Sequence, residues 1–107
     1  MRRRGENISS YEVERPILEH PKMAACAVVG VPAETGGEDE VLAVVVPRAG
    51  KTLEPGEIWS WCDERLPAFA RPRYVKVTDA LPTTPSGKIQ KSLLRADRTT
   101  RAIDRLA

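Results

Sequence analysis

Two runs of small and β-branched residues constrain the fold of this 107-residue chain more than any other feature. The first extends from Met23 to Val31 and the second from Val41 to Val46. Both are continuously apolar, which is typical of strands that are covered on both faces. Pro32 ends the first run, and residues 34–39 form a polar turn with a glycine pair. We therefore predict that the two runs pair as an antiparallel β-hairpin.

A capping box predicts a helix in front of this hairpin. Ser9 occupies the N-cap position, and Glu12 follows three residues later, where its side chain can return a hydrogen bond. The helix should end before Pro21, because proline cannot continue it. Pro16 lies inside the helix and removes one backbone hydrogen bond, so we expect a kink near Glu12 or a break.

Two further elements follow the hairpin. A second helix is predicted from Pro55 to about Leu66, because proline suits the first helical position and the apolar residues of this stretch share one face. Tyr74 to Val77 alternates in the manner of a third strand. Residues 98–107 are charged and weakly periodic, which predicts a frayed helix or disorder. The predicted fold is α+β, with a small three-stranded sheet and helices packed mainly on one face, in one domain of residues 1–97.

Composition argues against several classes of function. The net charge of +2 is too small to indicate a polyanionic partner, and aromatic residues are scarce among the arginines, which disfavours a nucleic-acid binder. Cys26 and Cys62 lie far apart and predict buried free thiols in a reducing compartment, and no residue cluster indicates a bound metal. No apolar run is long enough to span a membrane and no signal peptide is recognised, so a cytoplasmic protein is expected.

The segment from Leu81 to Arg95 suits neither a core nor an ordinary turn. Pro85 fixes a backbone dihedral angle, Ser86 supplies a short hydroxyl and Gly87 permits a left-handed conformation. Together they predict a stiff loop that supports Lys88. A stiff loop that presents a single ammonium group is suited to an anion. Three apolar residues after the lysine predict a short helix that anchors the loop: Ile89, Leu93 and Leu94.

Three motifs resemble those of the adenylate-forming acyl-CoA synthetases and their peptide-synthetase relatives. The lysine loop resembles the last signature motif of that family, with matches at Pro82, Gly87, Lys88 and Lys91. The stretch from Arg4 to Ser9, Arg-Gly-Glu-Asn-Ile-Ser, resembles the glycine-centred motif that opens the small C-terminal domain of these enzymes. Between them lies a third resemblance, carried by Leu66-Pro67, Pro72-Arg73 and Val77.

The resemblance implies roles for individual residues. The chain would be the C-terminal domain of an AMP-forming acid–thiol ligase, and its first motif is most similar to that of crotonobetaine/carnitine-CoA ligases. Lys88 would be the adenylation lysine, and the loop of Gly5, Glu6 and Asn7 would line the pantetheine tunnel for CoA. Four arginines are candidates for phosphate contacts, namely Arg2, Arg4, Arg71 and Arg73.

The resemblance also implies the partners of such a domain. A large N-terminal domain would hold the ATP-binding loop, most of the acyl pocket and most of the Mg²⁺ site. ATP, CoA and a carboxylic acid would be the substrates. The small domain would alternate between two positions, one that presents Lys88 for adenylation and one that presents the Gly5 loop for thioester formation. An exposed loop lysine is also accessible to a lysine acetyltransferase and deacetylase.

Other interpretations stay open at this point. The chain could belong to a peptide-synthetase adenylation domain, or it could be a stand-alone binding module that keeps the fold without catalysis. Lys88 taken alone is an ordinary surface lysine, Gly5 is an ordinary turn glycine, and each arginine is at least as well explained as a solvated surface group. Packing is the simplest role of the large aromatic residues Trp59, Trp61 and Phe69.

Overall fold

A four-stranded mixed sheet with helices on both faces forms the body of the domain. The computed structural model describes residues 2–3, 6–7, 9–32, 39–97 and 101–106, and for residues 2–3 and 6–7 it describes the backbone. None of the helices in these ranges has the length and apolarity that a membrane span requires. The elements, in chain order, are β1 (Arg2–Arg3), β2 (Glu6–Asn7), α1 (Ser10–Leu18), β3 (Met23–Pro32), β4 (Asp39–Pro47), α2 (Pro55–Asp63), a 3-10 turn (Ala68–Ala70), β5 (Tyr74–Val77), α3 (Lys91–Asp97) and β6 (Ile103–Asp104).

The central pair of the fold is the hairpin of β3 and β4, as the two apolar runs predict. The strands are antiparallel, with Val28 opposite Ala43. The predicted turn between them, residues 34–39, lies outside the described residues apart from Asp39. β5 pairs with β4 in parallel and places Val75 beside Ala43. A parallel neighbour requires a crossover connection, and α2 lies within it. β1 and β2 form a separate antiparallel ribbon.

The sheet has a fourth strand that the sequence did not predict. β6 pairs antiparallel with β5, placing Ile103 opposite Val75 and Asp104 opposite Tyr74. The prediction of a three-stranded sheet with a frayed or disordered tail was therefore wrong for the part of the tail that the structure describes, residues 101–106. A two-residue strand has no readable periodicity. Contacts with distant residues hold it in place, since Arg73 binds Asp104 and Asp63 binds Arg105.

Two apolar clusters cover the two faces of the sheet. Helices α1 and α2 pack on one face, as predicted, whereas α3 packs on the other. Successive residues of β3 contribute to opposite clusters, with Val28 in the first and Val29 in the second, which confirms that the strand is covered on both faces. The first cluster comprises Val13, Ile17, Met23, Cys26, Val28, Val41, Ala43, Val45, Leu53, Ile58, Cys62, Leu66, Ala70 and Val75. The second comprises Ala27, Val29, Val31, Leu42, Val44 and Leu94.

Helix α1 begins after the predicted N-cap and continues through its proline. The carbonyl of Ser9 accepts hydrogen bonds from the helix, but its side chain makes no capping bond, so the predicted capping box does not form. Of the two predicted alternatives, a kink near Glu12 or a break, the break was wrong, because the helix runs on to Leu18. Pro16 lies in the last turn, and the flanking Val13 and Ile17 are buried in the core. Burial of these side chains outweighs the loss of one backbone hydrogen bond.

Helix α2 starts at Pro55, as predicted, but ends at Asp63 rather than near Leu66. Leu66 lies beyond the end of the helix but is still buried. Its N–H donates to the carbonyl of Cys62 at 2.8 Å, which ties the irregular chain after α2 to the last turn of the helix. Cys26 and Cys62 are buried free cysteines, which confirms the prediction of buried free thiols. Burial raises the pKa of the Cys62 thiol to about 12, and it also raises the pKa of Cys26.

Candidate functional site around Lys88

A tight turn precedes Lys88. The N–H of Gly87 donates to the carbonyl of Thr84 at 2.8 Å, which closes a four-residue β-turn. Its sequence, Thr-Pro-Ser-Gly, places proline second and glycine fourth, the positions that type I turns favour. Gly87 has a φ of +88°, a left-handed conformation in which a side chain is strained. The stiff turn that Pro85 and Gly87 predict is therefore present.

The strands that leave this turn are held together at three successive levels. Thr84 donates its N–H to the carbonyl of Lys88 at 2.8 Å. Thr83 and Ile89 form an antiparallel bridge, and Gln90 donates its N–H to the carbonyl of Pro82 at 2.8 Å. The loop is thus a small hairpin closed by main-chain bonds. Lys88 lies at its exit, with its side chain exposed.

The charge of Lys88 is not neutralised by its described surroundings. Within the part of the chain that the structure describes, no carboxylate lies within ion-pair distance of its ammonium group. Lys22, Lys76 and Lys91, by contrast, each pair with an acidic side chain. An exposed, unpaired ammonium on a stiff hairpin can bind an anion without first breaking a salt bridge.

A partly buried ion pair anchors the chain three residues beyond Lys88. Lys91 Nζ lies 2.7 Å from Glu14 Oε2 and 2.9 Å from Ser10 Oγ. The same Glu14 oxygen accepts a hydrogen bond from the N–H of Val28 at 2.7 Å. This cluster, the Glu14–Lys91 clamp, joins α1, β3 and the start of α3. Sequence reasoning assigned Lys91 to the motif but found neither partner, because they lie about eighty positions away.

The predicted apolar anchor of the following helix is only partly correct. Leu94 is buried against the sheet, whereas Ile89 and Leu93 are 37% and 49% exposed. Helix α3 begins at Lys91, so Ile89 belongs to the hairpin bridge instead of the helix. Leu93 lines an open groove of about 500 Å³ beside β5, together with Lys76, Leu81 and Asp97. The loop is therefore anchored by Leu94 and the Glu14–Lys91 clamp.

A second open groove lies between α1 and the Lys88 hairpin. It has a volume of about 610 Å³ and is lined by Tyr11, Glu14, Arg15, Leu18, Glu19, Cys26 and Ile89. Three of its apolar side chains are exposed, with Tyr11 at 66% and Leu18 at 45%. The surface next to Lys88 is thus partly apolar, although its rim carries charges of both signs.

Arg71 and Arg73, two of the four candidate phosphate contacts, are bound within the domain. Arg71 donates from Nε to the carbonyl of Leu66 at 2.9 Å and from Nη2 to the carbonyl of Asp63 at 3.1 Å, and so caps the end of α2. Arg73 forms a bidentate pair with Asp104, with two contacts of 3.1 Å. This pair holds the pKa of the Asp104 carboxyl below its usual value. Both guanidinium groups thus have structural partners.

The remaining candidates of the first motif are described only in part. Arg2, Glu6 and Asn7 lie in the β1–β2 ribbon, with Arg2 opposite Asn7, and their side chains are outside the description. Arg4 and Gly5 are outside the described residues. In the described ranges, no three His, Cys, Asp or Glu side chains come together in a way that could hold a metal ion.

The large aromatic residues pack within the domain. Trp59 and Phe69 lie against the first apolar cluster. Trp61 donates from Nε1 to the carbonyl of Pro16 at 2.7 Å, and the Arg65 guanidinium lies 3.3 Å from the centre of its ring. These contacts join α1 to α2, so the packing interpretation is confirmed for all three residues.

Comparison with known proteins identifies the class of this domain. The family model of the AMP-binding enzyme C-terminal domain matches residues 12–88. The chain therefore belongs to this family of adenylate-forming enzyme domains.

Individual relatives agree with the assignment. A feruloyl-CoA synthase of Amycolatopsis is 45% identical over 91 residues, which is 85% of this chain and 18% of that protein. An oxalate–CoA ligase of Arabidopsis thaliana is 42% identical over 86% of this chain and 18% of its own length. The crystal structure of apo MatB from Rhodopseudomonas palustris matches with a TM-score of 0.86 at 33% identity, over 94% of this chain and 20% of that one. The chain thus spans about a fifth of the length of these relatives.

Proposed function

We propose that this chain is the mobile C-terminal domain of an AMP-forming acyl-CoA ligase and that Lys88 promotes the adenylation step. The observation that carries the proposal is the exposed ammonium of Lys88, which has no ion-pair partner among the described residues. It lies at the exit of a hairpin whose turn is fixed by Pro85 and Gly87. Family membership and the CoA ligases among the relatives support the same conclusion.

The chemistry of adenylation requires a positioned cation. A carboxylate oxygen attacks the α-phosphorus of ATP and pyrophosphate leaves, so two anions meet and negative charge builds up on the α-phosphate oxygens. A cation that is held in place before the reaction stabilises this charge without reorganisation. The compact ammonium of Lys88, on its long flexible stem, can enter a cleft in another domain.

A larger partner domain is part of the proposal. The relatives are about five times longer than the chain, and we infer that the additional length holds the ATP pocket, the acyl pocket and the Mg²⁺ site. The exposed apolar side chains Tyr11, Leu18 and Ile89 lie next to the lysine hairpin, where that domain would cover them when Lys88 is in its cleft.

The second half-reaction involves the first motif. In it the CoA thiol attacks the acyl carbon of the adenylate and AMP leaves. We propose that the loop of Gly5, Glu6 and Asn7 lines the pantetheine path at this stage, after the domain has rotated. Arg2 and Arg4 stay candidates for phosphate contacts. For Arg71 and Arg73 a structural role is favoured, because each already binds groups within the domain.

Two finer assignments remain part of this proposal. The first is the type of ligase. The Gly-Glu-Asn-Ile-Ser sequence favours a crotonobetaine/carnitine-CoA ligase, whereas the relatives named above are a feruloyl-CoA synthase and an oxalate–CoA ligase. We also propose that acetylation of Lys88 by a lysine acetyltransferase blocks adenylation, since it removes the charge that acts in that step.

The test measures the two half-reactions separately in the full-length enzyme. Lys88→Ala should lower adenylation by at least about 100-fold, the scale for loss of one preorganised electrostatic group. Thioester formation from preformed acyl-adenylate should be retained. The matched control is Lys51→Ala, which removes an exposed lysine from the turn after β4 and should leave both half-reactions unchanged. Unchanged adenylation in a folded Lys88→Ala enzyme would refute the proposed role of Lys88.

A further inference from the structure

We propose that Thr84 is a positioning residue for Lys88, an inference that rests on the proposed role of Lys88 in adenylation. Thr84 binds both peptide groups of the lysine. Its side-chain Oγ1 accepts a hydrogen bond from the N–H of Lys88 at 3.1 Å, and its own N–H donates to the carbonyl of Lys88 at 2.8 Å. No other residue in the described ranges is hydrogen-bonded to both of these groups.

The side-chain bond is the one that depends on residue type. Any residue except proline could supply the backbone N–H at position 84, but only a short side chain that carries an oxygen, here the threonine hydroxyl, can accept the Lys88 N–H locally. Thr84 Oγ1 also lies 3.0 Å from Ser86 Oγ. Because Thr84 Oγ1 accepts from Lys88, its hydroxyl hydrogen can be donated to Ser86. In that arrangement Ser86 Oγ accepts from Thr84, and a lone pair of the threonine hydroxyl faces the lysine amide.

This bond matters because the lysine side chain itself makes no hydrogen bond or ion pair with the described surroundings, so that the backbone alone orients it. Lys88 is exposed and its ammonium has no ion-pair partner in the part of the chain that the structure describes. The direction in which its Cβ leaves the hairpin is therefore set by the backbone, and Thr84 holds that backbone on both sides. A displacement of about 1 Å in a reacting group can lower a rate by on the order of 100-fold.

The substitution Thr84→Val isolates the side-chain bond. Valine keeps the size and the β-branching of threonine but lacks the acceptor, and water can reach the exposed amide that loses its partner. In the full-length enzyme we expect the kcat of adenylation to fall about 10-fold with little change in the KM for ATP. The reason is that a less firmly held Lys88 stabilises the transition state less well but affects ATP binding little. Thioester formation from preformed adenylate should be unchanged, and Thr84→Ser, which restores the acceptor, should recover most of the rate.

The control is the neighbouring threonine. Thr83→Val makes the same chemical change one position earlier, at an exposed side chain, and should leave adenylation within about twofold of wild type, since the main-chain bridge of Thr83 is retained. Equal losses in Thr83→Val and Thr84→Val, or no rescue by Thr84→Ser, would overturn the inference, because the effect would then come from the hairpin as a whole.

A readout without catalysis separates this inference from the proposed function. Amide hydrogen exchange of Lys88 should be faster in Thr84→Val than in wild type or in Thr83→Val, while the amide of Gly87 stays protected through its bond to the Thr84 carbonyl. If Lys88→Ala leaves adenylation intact, the proposed function fails and this inference fails with it. If Lys88→Ala abolishes adenylation but Thr84→Val changes neither the rate nor the exchange, only the inference about Thr84 is wrong.

Discussion

Gly50 and Gly87 share a backbone conformation but lie in different parts of the molecule. Their φ angles are +76° and +88°, and a Cβ atom added to either would meet no described heavy atom within 4 Å beyond those of its two neighbours in the chain. Gly50 lies in the turn after β4, whereas Gly87 directly precedes Lys88. The free-energy cost of a side chain at either site therefore comes from backbone strain alone. Substitutions at the two glycines can thus distinguish a loss of stability from a change in the position of Lys88.

We predict that Gly87→Ala and Gly50→Ala each lower the free energy of unfolding by about 1 kcal/mol, because alanine is strained in the left-handed region. Only Gly87→Ala should lower adenylation in the full-length enzyme, since relief of the strain moves the backbone of Lys88. Urea unfolding of both variants and pyrophosphate exchange measure the two effects. A similar fall in activity for Gly50→Ala would mean that global destabilisation causes both.

At the scale of the elements, the Glu14–Lys91 clamp joins α1, β3 and the start of α3 through one ion pair and two hydrogen bonds. The two side chains are 14% and 27% exposed, and Glu14 also satisfies the N–H of the buried residue Val28. Removal of the glutamate would leave this N–H without its partner and the Lys91 ammonium with Ser10 alone. Breaking one side of such a pair costs more than the pair itself contributes.

Glu14→Ala should therefore lower the free energy of unfolding by about 2–3 kcal/mol. Glu12→Ala, which removes an exposed carboxylate from the same helix, should cost less than about 1 kcal/mol. Thermal and chemical denaturation of both variants measure the difference. Equal stability of the two would show that the clamp is a solvated surface pair.

Strand β6 is held by two ion pairs that depend on pH. Arg73 lowers the pKa of Asp104, with a further contribution from the N–H of Leu106, and Arg105 lowers the pKa of Asp63. A carboxyl whose folded pKa is lowered stabilises the fold fully above its unfolded pKa of about 4, and this stabilisation is lost as pH falls through the folded value.

We predict that β6 separates from β5 below about pH 4, before the β3–β4 hairpin opens. The reporter is the amide of Arg105, which donates to the carbonyl of Arg73 at 2.9 Å. The hydrogen-exchange protection of this amide, corrected for the intrinsic pH dependence of exchange, should fall at low pH. In the Asp104→Asn variant, which lacks the carboxylate, the protection should already be reduced at pH 7. Protection that is the same at pH 3 and pH 7 would contradict the assignment of β6 stability to these pairs.

At the scale of the whole molecule, we expect stability and activity to be separable. Both apolar clusters are built on the same β3–β4 pair, so the domain has a core of its own. The two open grooves beside α1 and β5 are surface features, and the relatives are about five times longer. We therefore expect the domain to fold by itself but not to adenylate by itself, since both of these described grooves are open.

The 107-residue chain alone should unfold in one cooperative transition and catalyse no ATP–pyrophosphate exchange with any carboxylic acid tested. Calorimetry and an exchange assay over a panel of acids measure the two properties. Exchange above background by the isolated chain would contradict the requirement for a larger partner domain.

The features that the sequence determined by itself are local. Continuous apolar runs predicted β3 and β4, Pro55 predicted the start of α2, and the Thr-Pro-Ser-Gly sequence predicted a stiff turn before Lys88. Each of these depends on dihedral preferences or on periodicity within about ten residues, and such information is contained in a short stretch of chain.

The tertiary structure decided the rest, because the responsible contacts join residues that are far apart in the chain. Continuity of α1 through Pro16 depends on the burial of Val13 and Ile17, and β6 depends on Arg73, thirty-one positions before Asp104. Glu14 and Lys91 meet only when α1 and α3 are placed around β3. Neither partner carries a local signal for such pairs, since their energy arises from burial and proximity that exist only in the folded domain.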